Sequence, residues 1–385
     1  MRIAIIVPFY SPSIGGVETV ARDTAEELSR RGHDVSVITT IYNNTWTKIA
    51  KPGVEVRDNV TIYRLNSSMF KIGYATLMNG LKETLIRIKP DIVHSHNLHP
   101  HLFQSAKWKD YLGYKIVAQL HCPEATGIDH ACAKLLYKWV VQYLIKNQHR
   151  IDAFIAHTNL ERKWLINKGV DWWKIHKVNY PCVRSSLTAY EPKPICRIEF
   201  PEKFVLMYMG RITWRKGIHT LLQAMPDVVS EIGNVRLVIA GSKNEEYYKV
   251  LLKFMNKLKL NHYVSLKQRL PEHIKYDYMG SCTAFVLPSI KDYTPVTLIE
   301  AQALGVPVVS TFVGAIPEIV RNRETGLLVE PENSKQLAQV LKRLLLKEHL
   351  RSLLSVKARM WVKNNFLLEN TVSKLNELYT SCLNY

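Results

Sequence analysis

The segment Pro288-Ser289-Ile290-Lys291-Asp292-Tyr293-Thr294-Pro295-Val296-Thr297-Leu298-Ile299-Glu300-Ala301 carries the clearest chemical pattern in the chain. Thr294 suits a helix N-cap, Pro295 the first helical position, and Gly305 the stop. The N–H groups of Val296 and Thr297 are then left without partners inside the helix, and a diphosphate can be held there by amide donors and the helix dipole. Glu300 follows about 9 Å along the axis at 1.5 Å per residue, a reach that spans diphosphate to ribose. A carboxylate at that distance can accept both ribose hydroxyls. The same residues also describe a capped amphipathic helix with two incidental acids.

A second pattern is Gly210-Arg211-Ile212-Thr213-Trp214-Arg215-Lys216-Gly217, directly after the strand-like run Phe204–Met209. Its position places Arg211 and Lys216 at a carboxyl strand edge. Two fixed cations there can neutralise the charge that grows on a departing diphosphate. The alternative is a solvated basic loop, and Arg215 is read that way. A third pattern, Pro12-Ser13-Ile14-Gly15-Gly16-Val17-Glu18, puts a glycine pair before a helix, where the backbone can approach a phosphate closely. It lacks the GxGxxG spacing of a nicotinamide-binding turn, which disfavours a dehydrogenase.

These residues need a scaffold that presents strand ends. Ile3, Ile5, Ile6 and Val7 within Arg2–Pro8 predict a buried strand; Val17, Val20, Ala21, Ala25 and Leu28 recur at helical spacing; Val35–Thr39 resumes strand character. Further strands are expected at Ile92–Ser95, Lys115–His121 and Ala153–His157. The pattern restarts after a proline-rich stretch with strands at Phe204–Met209, Val235–Ala240, Ala284–Leu287 and Val306–Ser310, and helices near Ile218–Ser230, Glu245–Leu258 and Thr297–Leu304. The fold class is therefore α/β, with two Rossmann-like doubly wound domains facing across a cleft at their carboxyl strand ends. The expected boundaries are 1–185 for the first domain, 186–201 for the linker and 202–365 for the second domain. A last helix within 366–385 has no strand after it and is expected to cross back to the first domain.

Ten of the fourteen histidines precede residue 177. His94, His96 and His121 fall at expected strand ends, whereas His99 and His101 read as loop residues. No acidic or cysteine ligands are interleaved at metal spacing, so no metal site is expected. Six cysteines (Cys122, Cys132, Cys182, Cys196, Cys282, Cys382) show neither CxxC spacing nor a disulfide framework.

The chain has 385 residues, 47% of them apolar, enough for two cores. Net charge is +19, with 25 basic against 15 acidic side chains in 1–185 and 27 against 18 in 186–385. Such an excess suits phosphate-rich partners: nucleic acid, an anionic membrane or phosphorylated small molecules. No nucleic-acid-binding signature accompanies it, and nucleic acid is set aside. No run approaches the about 18 apolar residues of a membrane span, and no signal peptide is evident. A cytoplasmic location is expected, possible attachment to the cytoplasmic face of a membrane included. Aromatics and cations interleave in 68–74 and in Ala133–Arg150, which suits an anionic bilayer surface or, equally, packed helices with a basic rim.

Taken jointly and in order, Gly15-Gly16, the strand end at His121, Gly210-Arg211 with Lys216-Gly217, Asp292-x7-Glu300 and Gly326-Leu327-Leu328-Val329 resemble the family-4 retaining glycosyltransferases of GT-B fold (glycosyl transferases group 1). The resemblance covers nearly the whole chain. It implies that Arg211 and Lys216 bind the diphosphate of a nucleotide-sugar donor such as a UDP- or GDP-sugar, that Glu300 binds ribose, that His121 contacts the donor sugar, and that Asp292 holds sugar hydroxyls. It also implies retention of anomeric configuration and no metal or other cofactor. The family usually carries glutamate at the position of Asp292, glycine at Gln268, aspartate at Thr283 and a second glycine at Ala315. The expected activity is hexosyl-type transfer to a lipid-linked or membrane-associated acceptor. The competing readings are a soluble acceptor, a nucleotide-sugar epimerase on the same fold, and a non-catalytic basic protein.

Overall fold

The structure is a computed structural model that describes residues 1–13, 15–68, 77–121, 131–180 and 183–384. The chain divides into two units, one of Met1–Pro181 with Leu368–Tyr385, the other of Cys182–Leu367.

In the first unit, strands β1 (Arg2–Ile6), β2 (Asp34–Thr40), β3 (Gly53–Arg57), β4 (Val60–Leu65), β5 (Ile92–His96), β6 (Lys115–Gln119), β7 (Ala153–Ala156) and β8 (Ile175–Lys177) form one sheet. Its order is β8-β7-β6-β5-β1-β2-β4-β3, parallel throughout except for β3 against β4. Alternate side chains enter opposite faces, as the pleat requires. Ala4, Ile6, Val93, Ile116, Ala118 and Phe154 build one core, while Ile3, Ile5, Ile92, Val117, Ala153 and Ile155 build the other. That two-sided burial is why β1 and β7 read as nearly unbroken apolar runs, while β5 carries His94, Ser95 and His96 into the same buried layer. Helices α1 (Gly16–Arg30), α2 (Pro100–Leu112), α3 (Ala131–Lys146) and α4 (Asn159–Asn167) belong to this unit.

The chain's last helix, Leu368–Asn384, also packs here: Leu368, Val372, Leu375 and Tyr379 join the second of those cores. Arg31 ties its start by donating to the Glu369 carbonyl at 2.6 Å and to Ser373 Oγ at 2.8 Å.

In the second unit, β9 (Phe204–Met209), β10 (Val235–Ala240), β11 (Val264–Lys267), β12 (Ala284–Val286), β13 (Val308–Thr311) and β14 (Leu327–Val329) form an all-parallel sheet in the order β11-β10-β9-β12-β13-β14. Neighbours β9 and β12 are far apart in sequence, so the direction of strand addition reverses between them, and loops at their carboxyl ends diverge to open a binding position. The proline-rich stretch expected as a linker over 186–201 is built into this unit. It contains short helices at Ser185–Thr188 and Ile195–Glu199, Cys196 is buried, and Arg197 donates to the Ser281 carbonyl at 3.0 Å and to Thr283 Oγ1 at 3.0 Å. Prolines there remove backbone donors, while these side chains supply the packing that a free linker would lack.

Candidate functional site

The loops after β9 and β12 are joined residue by residue. Amides of Ile290 and Lys291 donate to the Arg215 carbonyl at 2.9 and 3.1 Å. Gly217 has φ +66, and a Cβ there would lie 1.9 Å from the Pro288 carbonyl oxygen, so only glycine allows this approach. The clasp brings Lys216 and Asp292, 76 residues apart, into an ion pair through Lys216 Nζ and Asp292 Oδ2. Ser289 Oγ donates to the same carboxylate oxygen at 3.0 Å, and the Tyr293 amide donates to Oδ1 at 3.0 Å. On the far side, Gly314 (φ +53) presses its backbone against Asp292. Asp292 is thus fixed from three directions. Arg211 lies in the same loop as Lys216 with its side chain exposed, its backbone held by Tyr208 Oη, which donates to the Arg211 carbonyl at 2.7 Å.

The helix that follows, α5 (Val296–Ala303), starts one residue later than the sequence predicts. Pro295 keeps a helical φ of −71° but has ψ 104°, so Pro295 rather than Thr294 is the N-cap, and no side chain caps the helix. The consequence is chemical: the amides of Val296 and Thr297 have no side-chain acceptor from the cap. Gly305 (φ +73) ends the helix as expected.

Glu300 sits on this helix, 5% exposed. Lys275, on helix α6 (Glu272–Ser281), donates from Nζ to Glu300 Oε1 at 2.6 Å, and Tyr276 Oη donates to the same oxygen at 3.2 Å. Glu300 Oε2 is buried and has no partner among the described residues. Burial pulls the Lys275 ammonium down, but Glu300 and then Glu272 more than offset it, and the group titrates above the usual lysine range. Neither Lys275 nor Tyr276 was legible in the sequence, because no motif marks a pair formed between two helices.

The glycine pair of the first unit behaves differently from expectation. Gly15 is the N-cap of α1 in extended backbone, and a Cβ on it would lie 2.2 Å from Glu18 Oε2. The space that the missing side chain opens is filled by the chain's own carboxylate, an anion already placed at the helix N-terminus. A Cβ on Gly16 would meet no atom of the described residues within 4 Å.

His121 follows β6 and is locked on both ring nitrogens. Gln119 Nε2 donates to His121 Nε2 at 3.1 Å, and His96 Nδ1 lies 2.9 Å from the same atom. With Nε2 accepting, the proton of the neutral ring sits on Nδ1 and is donated to Tyr180 Oη at 3.1 Å. His157, projected just before α4, donates from Nδ1 to the Val178 carbonyl at 2.7 Å, and Tyr379 Oη lies 2.6 Å from His94 Nδ1. The sequence reading of His99 and His101 as loop residues is corrected: Pro100 starts α2, His99 is its N-cap residue, and His101 lies in its first turn, with Nε2 donating to the His96 carbonyl at 3.1 Å. Burial holds all six imidazoles neutral. His94 and His101 fall to about 3, His99 and His157 to about 4, and His96 and His121 well below the usual histidine range. Among the described residues, no three His, Cys, Asp or Glu side chains converge to hold a metal ion.

Comparison with known proteins accords with this geometry. The sequence model of the family described as "Glycosyltransferase Family 4" matches residues 14–180, and that described as "Glycosyl transferases group 1" matches residues 197–361. The chain is a family-4 glycosyltransferase of GT-B fold. Its similarity to curated relatives runs end to end. It is 26% identical to an uncharacterized glycosyltransferase of Methanocaldococcus jannaschii, covering 98% of each chain, and 25% identical to the N-acetyl-alpha-D-glucosaminyl L-malate synthase of Bacillus anthracis, covering 100% of this chain and 98% of the relative. Among solved structures, Anabaena HepE in complex with UDP superposes with a TM-score of 0.80 at 16% identity, covering 99% of this chain and 100% of HepE. That similarity extends the shared fold across both units of this glycosyltransferase.

Proposed function

We propose that this glycosyltransferase takes a hexosyl-type sugar from a nucleotide-sugar donor, a UDP- or GDP-sugar, and transfers it with retention of anomeric configuration and without a metal. The observation that carries the reading is the buried, unpartnered Glu300 Oε2, set one turn into a helix whose N-terminal amides have no cap. A buried bare carboxylate oxygen is costly unless a ligand donor satisfies it. In this reading the amides of Val296 and Thr297 hold the diphosphate, Glu300 accepts from ribose, and Arg211 and Lys216 face the leaving group. Asp292, fixed by Lys216 and Ser289, accepts from sugar hydroxyls. The C1–phosphate oxygen bond breaks as the acceptor oxygen bonds to C1 on the same face, and the acceptor proton passes to a phosphate oxygen. His121 enters as a sugar contact held in one tautomer; a hydroxyl that reaches either ring nitrogen must displace Gln119, His96 or Tyr180. A phosphate at Gly15-Gly16 must likewise displace Glu18.

The direct test is binding of UDP and GDP, and of their sugars, to the intact protein and to Glu300→Ala. The variant should bind about 10- to 100-fold more weakly, the loss of hydrogen bonds to a charged acceptor. Equal affinity in a folded variant removes Glu300 from the donor site.

For the acceptor, we propose a lipid-linked or membrane-associated glycan reached by peripheral attachment to an anionic surface. On α3, Leu135, Trp139 and Tyr143 recur at four-residue spacing on the exposed face, with Trp139 stacked on Tyr143 at 5.8 Å, while Val140, Val141 and Leu144 face the core. Lys138 and Lys146 flank the stripe, and Ala131–Lys146 contains no acid. Most of the 68–74 segment lies outside the described residues. Among the described residues, no helix is long and apolar enough to cross a membrane. Each cation near such a surface contributes about 1 kcal/mol, screened over about 10 Å at 0.1 M salt. Co-sedimentation with anionic vesicles should therefore be strong at low salt, fade at high salt and weaken in Trp139→Ala. Equal binding to neutral vesicles, or none at low salt, favours the second reading, a soluble acceptor, to which the name of the Bacillus anthracis relative points.

A further inference from the structure

Two oxygens of one buried carboxylate are treated very differently in the second unit. Glu300 Oε1 receives two donors from consecutive residues of α6, the Lys275 ammonium at 2.6 Å and the Tyr276 hydroxyl at 3.2 Å, while Oε2 receives none. Lys275 is itself largely buried, lies 4.9 Å from the centre of the Tyr276 ring, and has Glu272 as a second, weaker partner at 3.5 Å. A carboxylate buried to this degree is stable as an anion only when a counter-charge accompanies it. Without a fixed partner it would also rotate, exchanging its two oxygens between positions.

We propose that Lys275, assisted by Tyr276, is a positioning residue that makes Glu300 a selective receptor for ribose. The inference rests on the donor-site reading above. Lys275 neutralises the carboxylate and engages Oε1, so the remaining lone pairs of Oε2 stay directed at one place. A vicinal diol presents two hydroxyl hydrogens there, and a deoxyribose only one. Lys275 does not touch the donor in this arrangement; it acts through Glu300. The sequence spacing of the two residues, 25 positions across a strand and two loops, explains why no local motif shows the pair.

The experiment is a comparison of ribo and deoxy ligands by calorimetry on the full chain, using UDP and GDP with their 2′-deoxy and 3′-deoxy counterparts. The unmodified protein should prefer the ribo form by about tenfold or more, as expected for a hydroxyl donating to a charged acceptor. In Lys275→Met that ratio should fall towards one, while the deoxy ligands, held by the diphosphate contacts, lose little affinity. Lys275→Arg should keep most of the preference, and Tyr276→Phe should lower it by a smaller factor. Lys275→Met added to Glu300→Gln should change the ratio no further, because the two residues act as one unit.

If Lys275→Met does not fold, Tyr276→Phe and Lys275→Arg carry the test, and an unchanged ribo preference in Tyr276→Phe with its loss in Lys275→Arg overturns the proposal. Equal weakening of ribo and deoxy ligands in Lys275→Met also overturns it, since that is the signature of a structural role or of direct phosphate contact. Failure of the unmodified protein to bind any of these nucleotides is a different result: it removes the donor site itself, and with it the role of Lys275.

Discussion

Lys216→Ala should lower kcat about 100- to 1,000-fold while the donor KM changes far less, the effect of deleting one preorganised donor aimed at developing charge. The reasoning starts from what Lys216 does in the ligand-free fold. Its ammonium is paired with Asp292, which also accepts from Ser289 and the Tyr293 amide. Removing the ammonium leaves Asp292 with both of those neutral donors, so the carboxylate is not orphaned and the loop should persist. In the proposed reaction the demand on Lys216 is greatest when the sugar–phosphate bond is nearly broken and the diphosphate carries its fullest charge. An interaction that strengthens towards that point appears in kcat, not in ground-state binding. Arg211→Ala is the cleaner companion, because its exposed side chain can be removed with little effect on folding. The double variant should cost less than the product of the two, since both cations serve one leaving group. Turnover would be measured beside melting temperature. Full turnover in both single variants would end the assignment of the diphosphate to this loop.

The strands and the loop after β9 were legible because two-sided burial leaves a strong signal: β9 is an unbroken apolar run, β10 is one interrupted only by Arg236, and the pattern gives the bounds of both to the residue. Strands β6 and β7 were read two residues and one residue too long, since Leu120, His121 and His157 stay buried after the ladder has stopped. The helix at Val296 was legible in existence and direction, but its cap was not. The ψ angle of Pro295 is set by the loop's attachment to 312–315, where the Ala315 amide donates to the Tyr293 carbonyl at 3.2 Å, and that contact is non-local. Glu18 was read only as the end of a glycine motif; that its side chain folds back over Gly15 follows from packing around α1, where Asn44 Nδ2 donates to Glu18 Oε1 at 3.4 Å. The imidazole cluster was half legible. His96 ends β5 and His121 follows β6, whereas His94 lies in the middle of β5, and their pairing depends on register, His96 standing beside Gln119 across β5 and β6, and on a tyrosine from the chain's last helix.

Acidification should unfold the first unit at a pH where the second remains folded. His94, His99, His101 and His157 titrate in the fold at about 3 to 4, depressed by burial, whereas an unfolded histidine titrates near about 6.5. The folded values are the lower ones, so between about 6.5 and about 4 the unfolded chain binds more protons, and stability falls as pH falls. Above that window no penalty exists, because both states are neutral. At pH 5 each imidazole that stays neutral in the fold costs about 2 kcal/mol relative to neutral pH. Four of them sum to about 8 kcal/mol, comparable with the about 5–15 kcal/mol that holds a domain together. His96 and His121, pushed down by burial and by the imidazoles around them, add to this in the same direction. No carboxylate hydrogen-bonds to any of these six rings among the described contacts, so charging them finds little compensation nearby. Hydrogen exchange at pH 7.5 and pH 5, corrected for intrinsic rates, should show β5, β6 and β7 losing protection at the lower pH while β9, β10 and β12 retain theirs. His157→Gln should reduce the slope of stability against pH by about 1.4 kcal/mol per unit through the window, one proton fewer taken up on unfolding. Equal protection of β5–β7 at both values, or an unchanged slope in His157→Gln, would show that these rings are charged, or solvated, in the folded protein.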